Sequence, residues 1–202
     1  MKKTLFTLLT AGAMTLMVSC GGSGKSYPEH EIFGKVLAAQ LKYHEQDSIL
    51  KAERTDDNWK KNKEKHKELV EKLYKDVEQA KDEIIGRDVP FEVAPESGFE
   101  VTYCKIESVN KLGSIDFKAQ FKVTDPEKAY VFGFTKNEMY VNFKFVDVDG
   151  NLIRENLLLS IKLDQNAVPG AVGETIFSLT NHGKTARDYY RFGKIVFFTQ
   201  KN

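Results

Sequence analysis

Ile115-Asp116-Phe117-Lys118-Ala119-Gln120-Phe121-Lys122-Val123 alternates apolar and polar residues without a break. Successive side chains of an extended chain point to opposite faces. The stretch therefore predicts a strand with one face in a core and the other in water. The same period runs downstream. Val141, Phe143, Phe145 and Val148 lead into Asp149-Gly150, a dipeptide suited to a tight hairpin, and residues 153–163 return from it. Asp125-Pro126-Glu127-Lys128 reads as a turn, and residues 130–135 as a further strand or an irregular connection. Pro169-Gly170 marks another turn, residues 175–179 another strand and residues 195–199 the last. With Phe91–Val93 and Phe99–Val109 the expected count is seven or eight strands, which suits an antiparallel sandwich.

Upstream the period changes. Pro28 with Glu29 and Glu31 suits a first helical turn, and Ile32, Phe33, Val36, Leu37 and Leu41 then recur at spacings of three and four. This predicts a helix from residue 28 to about 54. Thr55-Asp56-Asp57-Asn58, weak helix formers that favour caps, predicts a break or tight turn, the alternative being one bent helix through it. His66, Val70, Leu73, Val77, Ala80 and Ile84 alternate spacings of four and three, the period of a coiled-coil seam, and Trp59 extends the stripe by a heptad. Gly86 closes this second helix, and Pro90 stops it resuming.

Residues 90–202 resemble the small immunoglobulin-like domains of bacterial envelope lipoproteins. The resemblance rests on Val141-Asn142-Phe143-Lys144-Phe145, on the 147–153 hairpin and on Val172-Gly173-Glu174-Thr175-Ile176-Phe177. The disulfide and core tryptophan of antibody domains are missing, since Trp59 lies upstream and Cys104 has no partner. The expected fold class is α+β: an N-terminal α-helical hairpin over residues 28–88, then an antiparallel immunoglobulin-like β-sandwich over residues 89–202. The helices either fold back on one another or pack on the domain that follows.

The N-terminus carries an address. Lys2 and Lys3 precede a charge-free apolar stretch over residues 5–18, too short to span a bilayer comfortably, which reads as a secretory signal. Leu16-Met17-Val18-Ser19-Cys20 resembles the lipobox of bacterial lipoproteins, with Ser19 at the small position and Met17 where Leu is usual. That resemblance implies removal of residues 1–19, lipidation of Cys20 (palmitate among the acyl chains) and membrane attachment through a tether over residues 20–27. Gly21 is unlike the Asp of an inner-membrane retention signal, and no acidic run follows it. The expected location is the cell envelope, at the outer membrane on its periplasmic side.

Composition narrows the function. The formal charge is +1, and loss of Lys2 and Lys3 leaves −1, so nothing draws the chain to nucleic acid. Hydrophobic content of 41% supports a core. With Cys20 lipidated, Cys104 has no internal disulfide partner, and its β-rich apolar surroundings predict burial. Gly24-Lys25-Ser26 mimics a phosphate loop, but Ser19 stands where the first glycine belongs.

No catalytic set, metal site or cofactor motif is read from the chain. Asp147-Val148-Asp149-Gly150-Asn151 has the carboxylates of a calcium loop, yet its glycine stands fourth rather than sixth, so it reads as a hairpin turn. His30, His44, His66 and His182 lack zinc spacing. The basic run over residues 60–67 reads as a solvated helix face that can also meet anionic headgroups or an acidic partner. Arg187, Tyr189, Tyr190, Arg191 and Phe192 form the densest aromatic and cationic cluster. These five are the expected contact residues for an envelope protein or glycan; the plain structural alternative has Tyr189 and Phe192 sealing the end of the sandwich. The expected function is a membrane-anchored, non-enzymatic binding or assembly module. Its alternative is a binder of a small glycan or lipid in a cleft between helices and sheet.

Overall fold

A computed structural model of the chain describes residues 26–132, 137–179 and 187–199. The expected signal, Cys20, the tether before Ser26, residues 133–135 and His182 lie outside the described residues. Two helices, α1 (Gly34–Ala52) and α2 (Trp59–Ala80), come first, and a short 3₁₀ turn (Lys81–Glu83) extends α2. Eight strands follow: β1 (Phe91–Val93), β2 (Phe99–Val109), β3 (Ile115–Val123), β4 (Tyr130–Phe132), β5 (Glu138–Asp147), β6 (Leu152–Lys162), β7 (Val172–Leu179) and β8 (Phe192–Phe198). The architecture is α+β.

The alternating stretch forms β3, whose apolar residues are all buried and whose polar residues all reach the surface in part. It is the middle strand of a three-stranded antiparallel sheet, β2-β3-β7. The other sheet runs β1-β8-β5-β4, with β6 also paired to β5. The Asp149-Gly150 turn joins β5 to β6 as expected, with Gly150 at φ +82°.

Aromatic rings join the two sheets. Phe177 of β7 meets Phe143 of β5 at 4.7 Å between centroids, and Phe121 of β3 meets Phe197 of β8 edge-on at 5.3 Å. Rings in these tilted and edge-on arrangements gain quadrupole attraction beyond the area they bury.

One expectation about pairing is corrected. β1 runs parallel to β8, with Phe91 beside Ile195 and Val93 beside Phe197, so its sheet is mixed rather than antiparallel. The cause lies in the preceding segment. Gly86 and Val89 donate to the Ile106 and Cys104 carbonyls of β2, after which the Pro90 carbonyl accepts from Ile195 of β8. The chain leaves α2 along the edge of one sheet and crosses to the edge of the other, a route that brings β1 in alongside β8.

The first helix also differs from its expected bounds, starting at Gly34 and not at Pro28. The His30 ring intervenes: Nδ1 accepts from the backbone N–H groups of Ile32 and Phe33, both at 3.1 Å. Those two donors are taken up by the ring, and the residues ahead of Gly34 close a turn. The expected break at residues 55–58 is present. Asn58 gives no side-chain cap to α2 and stitches the connection instead, accepting from Thr55 N–H at 2.8 Å and donating to the Glu53 carbonyl at 2.9 Å.

Both helices share the core of the sheets. Phe33, Val36, Leu37 and Leu41 of the first helical stretch, and Leu73, Val77, Ala80 and Ile84 of the second, are buried with the strand residues in one cluster. Phe33 lies 5.1 Å from Phe192 and 6.2 Å from Phe117 between centroids. Gln40, also buried, donates to the Leu112 carbonyl at 2.9 Å. Among the described residues, no helix is long and apolar enough to cross a membrane.

Candidate functional site

The apolar seams of the two helices do not stay apolar to their ends. Asp47 lies seven residues beyond Gln40 on the buried face of α1, and Asn62 lies four before His66 on α2. Both Asp47 and Asn62 are buried, Asp47 at only 6% exposure. A carboxylate taken so far out of water needs partners. Lys51 Nζ approaches one Asp47 oxygen at 2.6 Å, and His66 Nδ1 approaches the other at 3.0 Å. The carboxylate in turn holds the Lys51 ammonium above its ordinary pKa, through the hydrogen bond first and charge second. Asn62 donates to the Leu50 carbonyl at 3.4 Å, a second polar tie between the helices.

Around this pair lies a groove of about 290 Å³ lined by Leu50, Lys51, Arg54, Trp59, Lys63 and His66 together with Asp47 and Asn62. Trp59, expected as the next buried position of the seam, is instead 43% exposed. The reason is position: it is the first residue of α2, past the last layer where α1 can cover it. Asp47 and Lys51 also border a second hollow of about 680 Å³, whose other walls are Tyr43, His44, Ser48, Arg187 and Asp188. Helix α1 thus separates two adjoining depressions, with the Asp47–Lys51 pair between them.

The five expected contact residues are divided by the fold. Tyr189 and Phe192 are buried against Phe145, at 5.6 and 6.0 Å between centroids, so neither presents a surface to a partner. Tyr190 is half-buried: it packs edge-on to Tyr27 and His30, and its hydroxyl donates to the Pro28 carbonyl. It clamps the incoming chain. Arg187 and Arg191 remain exposed, Arg187 on the second hollow and Arg191 on the Asp147 turn.

That turn is held by its own chain. Asp147 Oδ1 accepts from the N–H groups of Asp149 and Asn151 at 2.9 and 2.8 Å, and Arg191 pairs with Asp149. Desolvation pushes the Asp147 carboxyl up, but these hydrogen bonds and the Arg191 charge outweigh it and leave the pKa below the ordinary value. Cys104 is buried as expected, and burial raises its thiol to about 12, so it is no nucleophile at neutral pH. Lys60, Lys61, Lys63, Lys65 and Lys67 are exposed along the first turns of α2, and Lys63 reaches the groove.

An Asp–His pair is part of a nucleophilic triad, but the groove lining among the described residues contains no hydroxyl or thiol. The nearby Ser48 hydroxyl donates to the His44 carbonyl at 2.7 Å, and belongs to the second hollow. The arrangement is suited to holding an anion beside an indole. Between helices and sheets Phe33, Val36 and Leu37 are buried in the shared core, and the hollow beside Arg187 and Asp188 lies outside that core. Asp47, Lys51 and Arg54 escaped sequence reasoning. The available signal was a carboxylate at a heptad position of an apolar stripe.

Fold and site together define an α+β protein with a polar groove at the junction of its two helices. No protein-family model, curated protein or solved structure matches the chain.

Proposed function

We propose that the protein is a lipid-anchored envelope lipoprotein that acts as a non-enzymatic binding module, its contact site being the groove around Trp59. The single observation that carries the binding role is an exposed indole ringed by Lys51, Arg54, Lys63 and His66, with a buried carboxylate hydrogen-bonded to Lys51 and 3.0 Å from His66. Surface groups fixed in this way lose little freedom on binding, which favours recognition. The lipobox-like stretch ending at Cys20 supports the anchor, with the outer membrane and its periplasmic side as the site of action. In this reading the two helices form an antiparallel hairpin, and the two sheets an immunoglobulin-like sandwich, with residues 86–89 beside β2 and β1 beside β8. The facing aromatic core and the crossing of residues 86–93 support that assignment.

Two measurements test it. Cells fed a palmitate analogue should label the wild-type chain and not Cys20→Ala, and the variant should leave the membrane fraction; a labelled, sedimenting variant refutes the anchor. A photo-crosslinking residue at position 63 should capture an envelope component that the same residue at position 176, on the exposed face of β7, does not. Equal yields at both positions refute the groove as the contact site.

A further inference from the structure

The groove's chemistry narrows its ligand. Asp47 is engaged by Lys51 and His66, so Arg54 and Lys63 add positive charge with no second carboxylate in the described lining. An anion is therefore favoured over a neutral or cationic ligand. Leu50 and Trp59 supply an apolar wall, and the indole offers a flat surface for a ring to lie against. Lys60 Nζ sits over the Trp59 ring at 5.9 Å from its centroid, adding cationic potential beside that surface. The volume of about 290 Å³ suits a small ring compound rather than an acyl chain or a folded element. Asn62 and His66 add polar groups that a hydroxyl-bearing ring can engage and that a bare aromatic acid leaves unmatched.

We propose that the groove binds an anionic sugar, a pyranose ring carrying a carboxylate or a phosphate. The apolar face of the ring lies against Trp59, and its charge lies between Arg54 and Lys63. Asp47 is a positioning residue: it pins Lys51 by a hydrogen bond and lies 3.0 Å from the His66 ring at the wall, without needing to touch the ligand. This proposal rests on the reading of the groove as the binding site.

Trp59 is the only tryptophan in the chain, so its emission reports on this groove alone. The full chain is titrated with galacturonic acid, glucose phosphate, glucose and inorganic phosphate, following Trp59 emission and the heat of binding. A saturable response is expected to galacturonic acid or glucose phosphate, weakening with added salt, and the stronger of the two identifies the anion. Arg54→Glu with Lys63→Glu should weaken it by about tenfold or more, because two attractive charges become repulsive. Both side chains are exposed, so the unfolding midpoint should not move.

Glucose binding as tightly as galacturonic acid overturns the charge requirement. Inorganic phosphate binding as tightly as glucose phosphate overturns the sugar. Silence from all four probes in both readouts overturns the proposal outright, and crosslinking at position 63 then tells how far the damage goes. A captured component there keeps the groove as a binding site for something else, whereas a blank removes both readings.

Discussion

His30 shows how one side chain sets a boundary. Its ring stacks on Phe33 at 4.9 Å between centroids while Nδ1 accepts two backbone N–H groups, an arrangement that requires the neutral imidazole at that nitrogen. Desolvation lowers its pKa below the ordinary value, against a weaker upward pull from Glu31. The unfolded state therefore takes up a proton more readily than the folded one, and stability falls as the pH drops below about 6.5. Thermal unfolding at pH 7.5 and at pH 5 measures it, and His30→Asn, which keeps a side-chain acceptor, should flatten the difference. An unchanged difference in the variant would assign the pH effect to other groups. Cys104 offers a second residue-scale check. At 1% exposure and a pKa of about 12, it should resist alkylation at pH 8 in the native protein and react once the chain is unfolded. Prompt native labelling would mean that β2 opens locally.

At the scale of elements, turns and strand ends carry the strictest demands. Gly98 precedes β2 at φ +72°, and a Cβ there would stand 2.3 Å from the Ala129 nitrogen and 2.5 Å from the Asp125 carbonyl oxygen. Gly150, at φ +82°, has open space around it. The two glycines separate strain from collision. Gly150→Ala should cost about 1 kcal/mol, for the left-handed backbone alone. Gly98→Ala should cost about 3 kcal/mol or more, because backbone must also move. Denaturant midpoints for the pair check the ordering, and equal losses would show that the β2 entry is softer than its contacts indicate. Element identity was well marked in the sequence: the period of residues 115–123 and the Asp-Gly turn locate β3 and the β5–β6 hairpin directly. The N-terminal boundary of α1 was not, because Pro28, Glu29 and Glu31 suit a helix start while the His30 ring satisfies the same donors another way. The mid-chain turn at Pro169-Gly170 was equally plain, with Gly170 at φ +96°.

For the molecule as a whole, the decisive fact is that helices and sheets share one core. Phe33 touches rings from both sheets, through Phe117 of β3 and Phe192 of β8. Helical and aromatic circular-dichroism signals should then disappear in a single coincident transition. Phe33→Ala should lower the stability reported by both, by about 3–5 kcal/mol. Helical signal lost ahead of the aromatic signal would show that the helices are only loosely docked. The groove follows from the same packing. Asp47 and His66 are polar residues on the apolar stripes of their helices, and they become a site only because the helices meet in the register that brings them to 3.0 Å. The aromatic cluster at 187–192 led the other way: two of its rings went to the core, Phe192 as the first residue of β8 and Tyr189 from the helical turn just before it.

The sequence by itself determined where the chain would be helical, where it would be extended, and that Cys104 would be buried. These follow from periodicity and local composition, which act over a few residues and do not depend on what lies opposite. Only the tertiary structure decided that β1 would run parallel to β8, that Trp59 would stand in solvent, and that Asp47 would collect Lys51 and His66 into a charged groove. Those outcomes depend on which faces meet, and a face records its hydrophobicity but not its partner.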